Sequence, residues 1–387
     1  MAKVVVGMSG GVDSSVTASL LKQQGYDVEG VSFLMRDASG GTACRPCCSL
    51  DSMESAARNA RALGIPHSTI DVKDAFHTKV IVPFIDAYMK GLTPNPCVLC
   101  NRFIKFPYLI AKADEQGAEF IATGHYARVE TEISAVNQAI SPCFILKKGI
   151  DPKKDQAYFL YALRQEELKR LLLPLGFYKK EEVRQLAQQL KLPAADSAES
   201  QEICFIEDSK YLAFIEKHAP AAGQPGPIVD MNGKVMGTHK GIYGYTIGQR
   251  KGMGIASPEP LYVADIDVPS NTIFVGPRDA AMTKEFAVGD VNWINPLMLP
   301  LGRSNEEDFA FRASVKVRSA MKEEPATLFL ESNPPHPPFS KGGMGGLPVD
   351  IIRVVFDAPQ WAPAPGQSAV FYDGEAVIGG GVIKKRV

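Results

Sequence analysis

A stretch near the start of the chain, residues 4–15, constrains the fold more than any other part of the sequence. It begins with three valines, and a short run of β-branched apolar residues is typical of a buried parallel strand. It continues through Ser9-Gly10-Gly11 into a helical pattern at 16–21. A strand, a glycine turn and a helix direct backbone N–H groups at a phosphate. We therefore expect an anion-binding turn at this point.

Two common phosphate-binding sequences do not fit this turn. The chain has no Gly-x-x-x-x-Gly-Lys-Ser/Thr, and no Gly-x-Gly-x-x-Gly follows the first strand. Gly10 and Gly11 still allow the backbone to approach an anion closely and to adopt a positive φ. A tight turn in some other doubly wound fold is the alternative interpretation.

Composition limits the classes of protein to which the chain can belong. Its 387 residues suffice for two or three domains, and 45% hydrophobic residues are ample for packed cores. A net charge of −1 excludes a globally basic nucleic-acid binder, so RNA contacts require local basic patches. We expect no signal peptide, and the sequence has no apolar run long enough to span a membrane. Seven cysteines, clustered and odd in number, favour reactive thiols in a reducing cytoplasm over structural disulfides.

Strand and helix patterns alternate through the first third of the chain. Further strands are predicted at 28–34, His67–Asp71 and 120–125, and a helix is predicted at about 51–63. Such alternation predicts an α/β fold with a doubly wound parallel sheet, whose ligands bind beyond the carboxyl ends of the strands. The glycine turn, Phe33 and Gly124-His125 all fall at such ends.

The pattern changes character at about Gly223. Before it, 165–192 is predicted to be helical, with Leu168, Leu171 and Leu172 in an apolar stripe. After it, short apolar runs alternate with turn residues, and Asn232-Gly233 is a strong hairpin signal. We predict a parallel-sheet domain over 1–210, a central β-rich module over 211–283 and a C-terminal β-barrel over 284–387. A Pro/Gly-rich insertion at about 331–348 is predicted to be disordered.

The cysteines form the second signal. Cys97 and Cys100 stand in a Cys-x-x-Cys behind a rigid Pro-Asn-Pro, a spacing that suits nucleophilic or metal chemistry. Cys204 lies far along the chain, and Cys143 has no partner pattern, so we expect it to be an ordinary buried thiol. The remaining thiols form a second cluster at Cys44, Cys47 and Cys48.

Seven motifs in order resemble the bacterial tRNA-specific 2-thiouridylases, members of the N-type ATP pyrophosphatase superfamily. The motifs are 9–15, 95–101 with 104–106, 122–126, 154–156, 203–206, 245–252 and 365–372. The resemblance spans nearly the whole chain apart from the Pro/Gly-rich insertion. It implies an ATP-dependent enzyme that converts the wobble uridine of tRNA to 2-thiouridine and releases AMP and pyrophosphate.

The same resemblance implies site residues. Those expected to bind ATP, with Mg²⁺, are Gly7, Met8, Ser9, Gly10, Gly11, Val12, Asp13, Ser14, Phe33 and Gly124. Those expected to face the target base are Asn95, Pro96 and Cys97. Those expected to contact tRNA are His125, Lys154, Asp155, Gln156, Arg318, Ser319 and Gln367. A helical part at about 150–200 is expected to take part in tRNA binding.

The resemblance also assigns the sulfur chemistry. Cys100 is expected to be the catalytic nucleophile and Cys204 the persulfide carrier, loaded by a cysteine desulfurase or a relay protein. The C2 oxygen of uridine is a poor leaving group until it is adenylated. A persulfide sulfur then attacks C2 and AMP leaves, after which the partner thiol resolves the carrier through a transient disulfide.

Cys97 departs from one branch of the family, which has aspartate at this position. Two alternatives to the persulfide relay therefore remain open. Cys97, Cys100 and Cys204 could hold three irons of a [4Fe–4S] cluster. A zinc site could instead use Cys44 and Cys47 with the Cys97/Cys100 pair.

Two other classes of protein compete with this interpretation. An ATP-dependent ligase of the argininosuccinate or amidotransferase-linked type could use the same loop without paired thiols, and a non-catalytic RNA-binding protein could retain a nucleotide fold. Three basic pairs, Lys147-Lys148, Lys153-Lys154 and Lys179-Lys180, are by themselves typical of solvated faces.

Overall fold

A computed structural model of the chain describes residues 1–36, 50–136, 139–195, 203–206, 211–219, 223–294, 309–331 and 351–385. The chain divides into two compact units: unit 1 is Met1–Ile81, Pro96–Ser209 and Glu375–Ile378, and unit 2 is Val82–Asn95, Lys210–Gly374 and Gly379–Val387. Cys44, Cys47, Cys48 and most of the insertion predicted to be disordered lie outside the described residues.

The helices of the described residues are α1 Val12–Gln23, α2 Leu50–Leu63, α3 Lys73–Phe76, α4 Val82–Met89, α5 Pro96–Cys100, α6 Phe106–Glu115, α7 Gln165–Arg170, α8 Lys180–Gln189 and α9 Tyr211–His218. Two π-helical turns lie at His77–Ile81 and Asn101–Lys105, and 3₁₀ turns at Ala157–Leu160, Pro174–Phe177, Ile242–Gly244 and Arg278–Ala281. None of the helices in this part of the chain is long and apolar enough to cross a membrane.

Unit 1 contains the predicted parallel sheet. Its strands and those of an adjoining hairpin are β1 Lys3–Gly7, β2 Asp27–Leu34, β3 His67–Asp71, β4 Phe120–Ala122, β5 Ala127–Val136, β6 Ala139–Lys148 and β7 Leu171–Leu172. The parallel sheet has the order β3-β2-β1-β4-β7, and β5 pairs with β6 in antiparallel fashion. The three valines of β1 are fully buried, as expected for a central strand covered on both faces.

Helix α1 is buried on two sides. Ala18 and Leu21 pack in a core with Val4 and Val6 of β1 and with residues of α2. Val16 and Leu20 pack in a second core with residues of α8. The helix that follows the glycine turn is therefore fixed by the sheet and by a late segment of the chain together.

The prediction of continuous helix over 165–192 is wrong. α7 ends at Arg170, and the next two residues form β7, which pairs with Ile121 and Ala122 of β4. The cause is local: Pro174 has no N–H to continue a helix, so Leu171 and Leu172 complete the sheet instead. The helical pattern resumes only at α8.

Unit 2 contains the predicted β-rich modules. The first is a four-stranded sheet of β8 Gly226–Asp230, β9 Val235–His239, β10 Tyr262–Asp267 and β11 Thr272–Gly276, in the order β10-β11-β8-β9. The hairpin predicted at Asn232-Gly233 joins β8 to β9, and Gly233 has the positive φ of +86° that this turn requires.

The C-terminal strands form an antiparallel barrel. They are β12 Met282–Trp293, β13 Phe309–Lys316, β14 Glu324–Glu331, β15 Ile351–Trp361, β16 Ser368–Asp373 and β17 Ala376–Ile383. Their order is β12-β15-β14-β13-β16-β17, and pairing of β12 with residues 379–383 of β17 closes the ring. The two strands on either side of the insertion, β14 and β15, pair up to Glu331 and Ile351.

Candidate active site

The glycine turn between β1 and α1 has the conformation expected of an anion-binding loop. Gly10 has a φ of +80°, and a side chain there would collide with the backbone oxygen of Ser52 in α2. Gly11 caps α1 with an extended backbone, and a Cβ atom there would make only an ordinary contact with the Ser9 hydroxyl, at 3.6 Å. Gly10 therefore requires a residue without a side chain. Glycine at position 11 leaves the N-terminus of α1 uncovered, so that an anion can approach it.

Serine side chains hold the loop in shape. The Ser14 hydroxyl accepts a hydrogen bond from the backbone N–H of Ser9 at 3.1 Å and donates to the Gly11 carbonyl at 3.2 Å. The Ser15 hydroxyl donates to the same carbonyl at 2.9 Å. The loop is thus fixed before any ligand binds, which lowers the entropy cost of binding.

Gly124 brings the end of β4 against the first turn of α1. A Cβ atom at Gly124 would lie 2.9 Å from the backbone carbon of Asp13 and 2.9 Å from the backbone nitrogen of Ser14. Real Cβ atoms do not approach backbone atoms this closely, so the position requires glycine. Two segments that the sequence assigned to ATP are therefore in direct contact.

A cavity of about 190 Å³ opens at this point in unit 1. It is lined by Gly7, Met8, Ser9, Asp13, Ser14, Phe33, Met35, Lys105, Leu109, Thr123, Gly124, His125 and Gln156. The residues come mainly from the carboxyl ends of β1, β2 and β4, the position that an open α/β sheet gives to its ligands. Others come from the first turn of α1 and from the junction of the π-helical turn Asn101–Lys105 with α6. His125 and Gln156, expected to contact tRNA, line the same cavity as the residues expected to bind ATP.

Lys105 supplies the positive charge among the lining residues. Burial and the nearby Lys105 charge together lower the pKa of His125 to about 3, so the imidazole is neutral at ordinary pH. The Thr123 hydroxyl lies 2.6 Å from Nδ1 of that imidazole. Lys105 belongs to a sequence motif, but no pattern in the sequence indicated that it faces this cavity.

Asp13 makes a partly buried ion pair that the sequence did not predict. The Lys180 ammonium donates to both carboxylate oxygens of Asp13, at 2.7 and 2.8 Å, and the Tyr126 hydroxyl donates to Oδ1 at 2.7 Å. The interpretation of Lys179-Lys180 as a solvated face is wrong for its second member, whose side chain is 9% exposed. Packing of α8 on α1 turns it inward.

Cys97 and Cys100 lie on one helical run, α5 followed by the π-helical turn Asn101–Lys105 and then α6. Cys97 is exposed and Cys100 is buried. The Asn101 amide donates to the carbonyl of Phe159 at 2.9 Å and so ties this run to the segment after Gln156. Lys105 follows Cys100 by one π-helical turn, so a single run carries a candidate nucleophile and the cation of the cavity.

Cys204 lies in unit 1 on a short turn that its neighbour anchors. Phe205 is buried, packs edge-on against Phe76 with ring centroids 5.7 Å apart, and accepts a hydrogen bond on its carbonyl from Arg36 at 2.9 Å. Cys204 itself is half-buried. The thiol is thus presented beside a fixed aromatic anchor.

Both metal alternatives stay predictions. Within the described ranges, no three His, Cys, Asp or Glu side chains are grouped so that they could hold a metal ion. This absence concerns a single ion, so the cluster alternative at Cys97, Cys100 and Cys204 stays a prediction. The zinc alternative uses Cys44 and Cys47, which lie outside the described residues. Cys143 is buried in β6, as predicted for an ordinary thiol.

The other residues expected to contact tRNA or the base are spread over both units. In unit 1, Asp155 accepts hydrogen bonds from the backbone N–H groups of Gly149 and Ala157, both at 3.1 Å, beside the half-buried Lys154. Cys97 and the buried Pro96 also belong to unit 1. Residues in unit 2 are Asn95, Arg318, Ser319 and Gln367. Arg318 donates to the carbonyls of Ile247 and Ala362, at 2.8 and 2.9 Å.

Comparison with known proteins assigns the family. The family model described as tRNA methyl transferase HUP domain matches residues 2–208. Models described as tRNA methyl transferase PRC-barrel domain and Aminomethyltransferase beta-barrel domain match residues 212–277 and 347–383. The tRNA-specific 2-thiouridylase MnmA 1 of Caldanaerobacter subterraneus is 46% identical to this chain, over 100% of this chain and 98% of that protein. The chain belongs to the tRNA-specific 2-thiouridylase family.

Two further members of the 2-thiouridylase family are similar along their whole length. The MnmA protein of Clostridioides difficile is 42% identical, over 99% of this chain and 98% of that protein. The MnmA protein of Acetivibrio thermocellus is 41% identical, over 99% of each chain. The resemblance seen in the sequence motifs and the α/β fold with β-rich modules are thereby confirmed.

Proposed function

We propose that the chain is a tRNA 2-thiouridylase that activates a uridine of tRNA with ATP and replaces its C2 oxygen by sulfur. The observation that carries the proposal is 41–46% identity, over nearly the full length, to proteins named tRNA-specific 2-thiouridylase. The cavity at the glycine turn supports it, because a loop with fixed N–H groups suits a nucleotide phosphate. The relatives are named for thiolation, whereas the family description speaks of methyl transfer.

The first step of the proposed reaction takes place in the cavity. The uridine C2 oxygen attacks the α-phosphorus of ATP, the bond to the β-phosphate oxygen breaks, and pyrophosphate leaves. Backbone N–H groups of the loop and the Lys105 ammonium would stabilise the negative charge that moves to the leaving group. Mg²⁺ would be held mainly by the phosphates, since the Asp13 carboxylate already accepts hydrogen bonds from Lys180 and Tyr126.

The second step delivers sulfur. In the proposed relay, the terminal sulfur of a Cys204 persulfide attacks C2 of the adenylated uridine, and AMP leaves with the former C2 oxygen. The Cys100 thiolate then attacks Sγ of Cys204, which breaks the sulfur–sulfur bond to the uridine and forms a Cys100–Cys204 disulfide. An external thiol must reduce this disulfide before the next turnover, and a sulfur-donor protein reloads Cys204.

The proposed domain boundaries indicate which parts of the chain bind ATP, carry the thiols and contact tRNA. We propose the boundaries 1–210, 211–283 and 284–387, and the family models that match 2–208, 212–277 and 347–383 support them. The first part would hold ATP and the thiols, and the tRNA contacts would come from several parts through Lys154, Asp155, Gln156, Arg318, Ser319 and Gln367. The cytoplasm, where tRNA and reduced thiols occur, is the proposed location.

The test is a reconstituted reaction with the full-length protein, ATP, total tRNA, and a cysteine desulfurase with cysteine. We expect pyrophosphate release that depends on tRNA, and 2-thiouridine in the digested tRNA by mass spectrometry. Release without tRNA would indicate a ligase, and tRNA binding without release would indicate a pure binding protein. Omission of the desulfurase is the control for sulfur transfer.

A further inference from the structure

Lys180 is the first residue of α8 and a buried partner of the phosphate loop. Its ammonium contacts both oxygens of the Asp13 carboxylate, at 2.7 and 2.8 Å, with 9% of its side chain exposed. The same ammonium lies 5.6 Å from the centre of the Tyr126 ring, whose hydroxyl donates to Asp13 at 2.7 Å. Both carboxylate oxygens therefore accept hydrogen bonds from groups later in the chain.

Asp13 connects Lys180 and Tyr126 to the nucleotide cavity. It lines the cavity and stands in the first turn of α1, next to Ser14, whose hydroxyl fixes the loop. A bare carboxylate at this position would face the triphosphate and repel it. Lys180 is not among the residues that line the cavity. It therefore affects the ligand by offsetting the negative charge of Asp13, which does line the cavity.

Lys180 is itself rigidly placed. Its backbone N–H donates to the Asp151 carboxylate at 3.0 Å, which fixes the start of α8. Val183 and Ala187 of α8 are fully buried against Val12 and Val16 of α1. The helix that carries the lysine is thus packed on the helix that carries the aspartate, and the ammonium has little freedom to move.

From these contacts we propose that Lys180 is a positioning residue for ATP. It neutralises the Asp13 carboxylate and, with Tyr126, holds the first turn of α1 in the orientation that points its N–H groups at the phosphates. It acts through Asp13 and does not touch the nucleotide. The proposal rests on the proposed function only in taking ATP as the ligand of the cavity.

The role predicts a specific pattern of coupling. Lys180→Met keeps the aliphatic stem but leaves the Asp13 carboxylate, whose side chain is 33% exposed, without its counter-charge beside the phosphates, so ATP affinity should fall on the order of tenfold. Asp13→Asn retains an acceptor for the Tyr126 hydroxyl and removes the charge. In the Asp13→Asn background, Lys180→Met should change ATP affinity by no more than about twofold, because no carboxylate remains for the lysine to neutralise.

The experiment is calorimetric titration of ATP into the four full-length proteins of this cycle, without tRNA, with melting temperatures measured for each. Lys179→Met is the matched control, since Lys179 is exposed and immediately precedes Lys180, and its ATP affinity should equal that of the wild type. If Lys180→Met does not fold, Lys180→Gln replaces it in the cycle, because its amide can still donate a hydrogen bond to Asp13 while the counter-charge is lost, and the same fall in ATP affinity is expected.

Two results would overturn the proposal. Unchanged ATP affinity in a folded Lys180→Met protein would make the ion pair purely structural. A double variant that binds ATP much more weakly than Asp13→Asn would mean that Lys180 acts on the nucleotide directly. A wild-type protein that binds no ATP would be a different outcome, because it would refute the proposed function before the lysine is tested.

Discussion

The imidazole of His125 stacks on the ring of Phe106, with the two centroids 6.1 Å apart and the two planes 26° apart. Phe106 is fully buried and begins α6, one residue after Lys105. Since burial and Lys105 lower the pKa of His125 to about 3, the ring is a neutral hydrogen-bonding group in the cavity. It cannot provide a positive charge for a phosphate of ATP or of tRNA.

This shift predicts a pH-dependent contribution to stability. In the unfolded chain His125 takes up a proton near pH 6.5, but in the folded protein it does so only at about 3. The free energy of unfolding should therefore decrease on acidification, by up to about 1.4 kcal/mol per pH unit between the two pKa values. His125→Asn should lack this component, and urea denaturation of both proteins at several pH values measures the difference. Parallel pH curves would refute a neutral imidazole in the folded protein.

Lys105 is predicted to lower the barrier to adenylation. Lys105→Met removes the positive charge from the cavity lining, so tRNA-dependent pyrophosphate release should slow by about 10²-fold or more, as when one group that stabilises a leaving charge is lost. Lys112→Met, on the same helical run but with its ammonium paired to Glu115 at 2.9 Å, should keep wild-type rates. Equal rates in all three proteins would exclude the role.

Substitution of the two proposed sulfur-transfer thiols should distinguish adenylation of the uridine from sulfur transfer. Cys204→Ser should abolish thiolation while pyrophosphate release persists, because adenylation uses the loop and the base oxygen but no thiol. Cys100→Ser should stop turnover after sulfur transfer. Cys143→Ala, a buried cysteine in β6, is the matched control and should retain activity. Thiolation by the Cys204→Ser protein would refute the relay.

Cys97→Asp is the sharper part of the same test, because it introduces the residue of the other branch of the family. A relay through Cys100 and Cys204 should tolerate the change at least in part, since Cys97 is exposed and is not assigned a sulfur-transfer step. A cluster that needs three thiolates should not, because a carboxylate is a poor substitute ligand for iron. Anaerobic purification with iron and labile-sulfide analysis measures the difference, and loss of iron together with activity would favour the cluster.

Lys154 and Arg318 should behave differently, although both were predicted to contact tRNA. Lys154→Ala should weaken tRNA binding and reduce its salt slope by about 0.7–0.9, the value for one lost phosphate contact. Arg318→Ala should also lower the melting temperature, because it removes hydrogen bonds to the carbonyls of Ile247 and Ala362. Filter binding over a range of salt and thermal melting test both. An unchanged salt slope in Lys154→Ala would show that Lys154 does not contact a phosphate of tRNA.

Deletion of residues 334–346 should leave the barrel intact. β14 and β15 pair in register up to Glu331 and Ile351, so a short connection can join them, and changes in loop length cost little closure entropy. We expect a small change in melting temperature and unchanged thiolation. A large loss of stability would mean that the segment contributes contacts to the fold.

Local patterns explain what the sequence could predict. The run of valines, the glycine turn and Asn232-Gly233 determine their own conformations, so β1, the loop and the β8–β9 hairpin followed from short stretches. Lys180 could not be placed in this way, because it meets Asp13 across 167 positions of sequence and only the packing of α8 on α1 brings them together. Leu171 and Leu172 likewise have a helical pattern that pairing with β4 overrides. The roles of the thiols and of the tRNA-contacting residues stay predictions.

Closure of the barrel has a consequence for synthesis of the protein. Residues 288–293 of β12 find their partners in residues 379–383 of β17, the last of the six strands to be translated. Until those residues leave the ribosome, this part of β12 presents unpaired N–H and C=O groups, a template on which another chain can add a strand. During translation, protection against such pairing must come from the ribosome and from chaperones, since the fold supplies it only when the ring is complete.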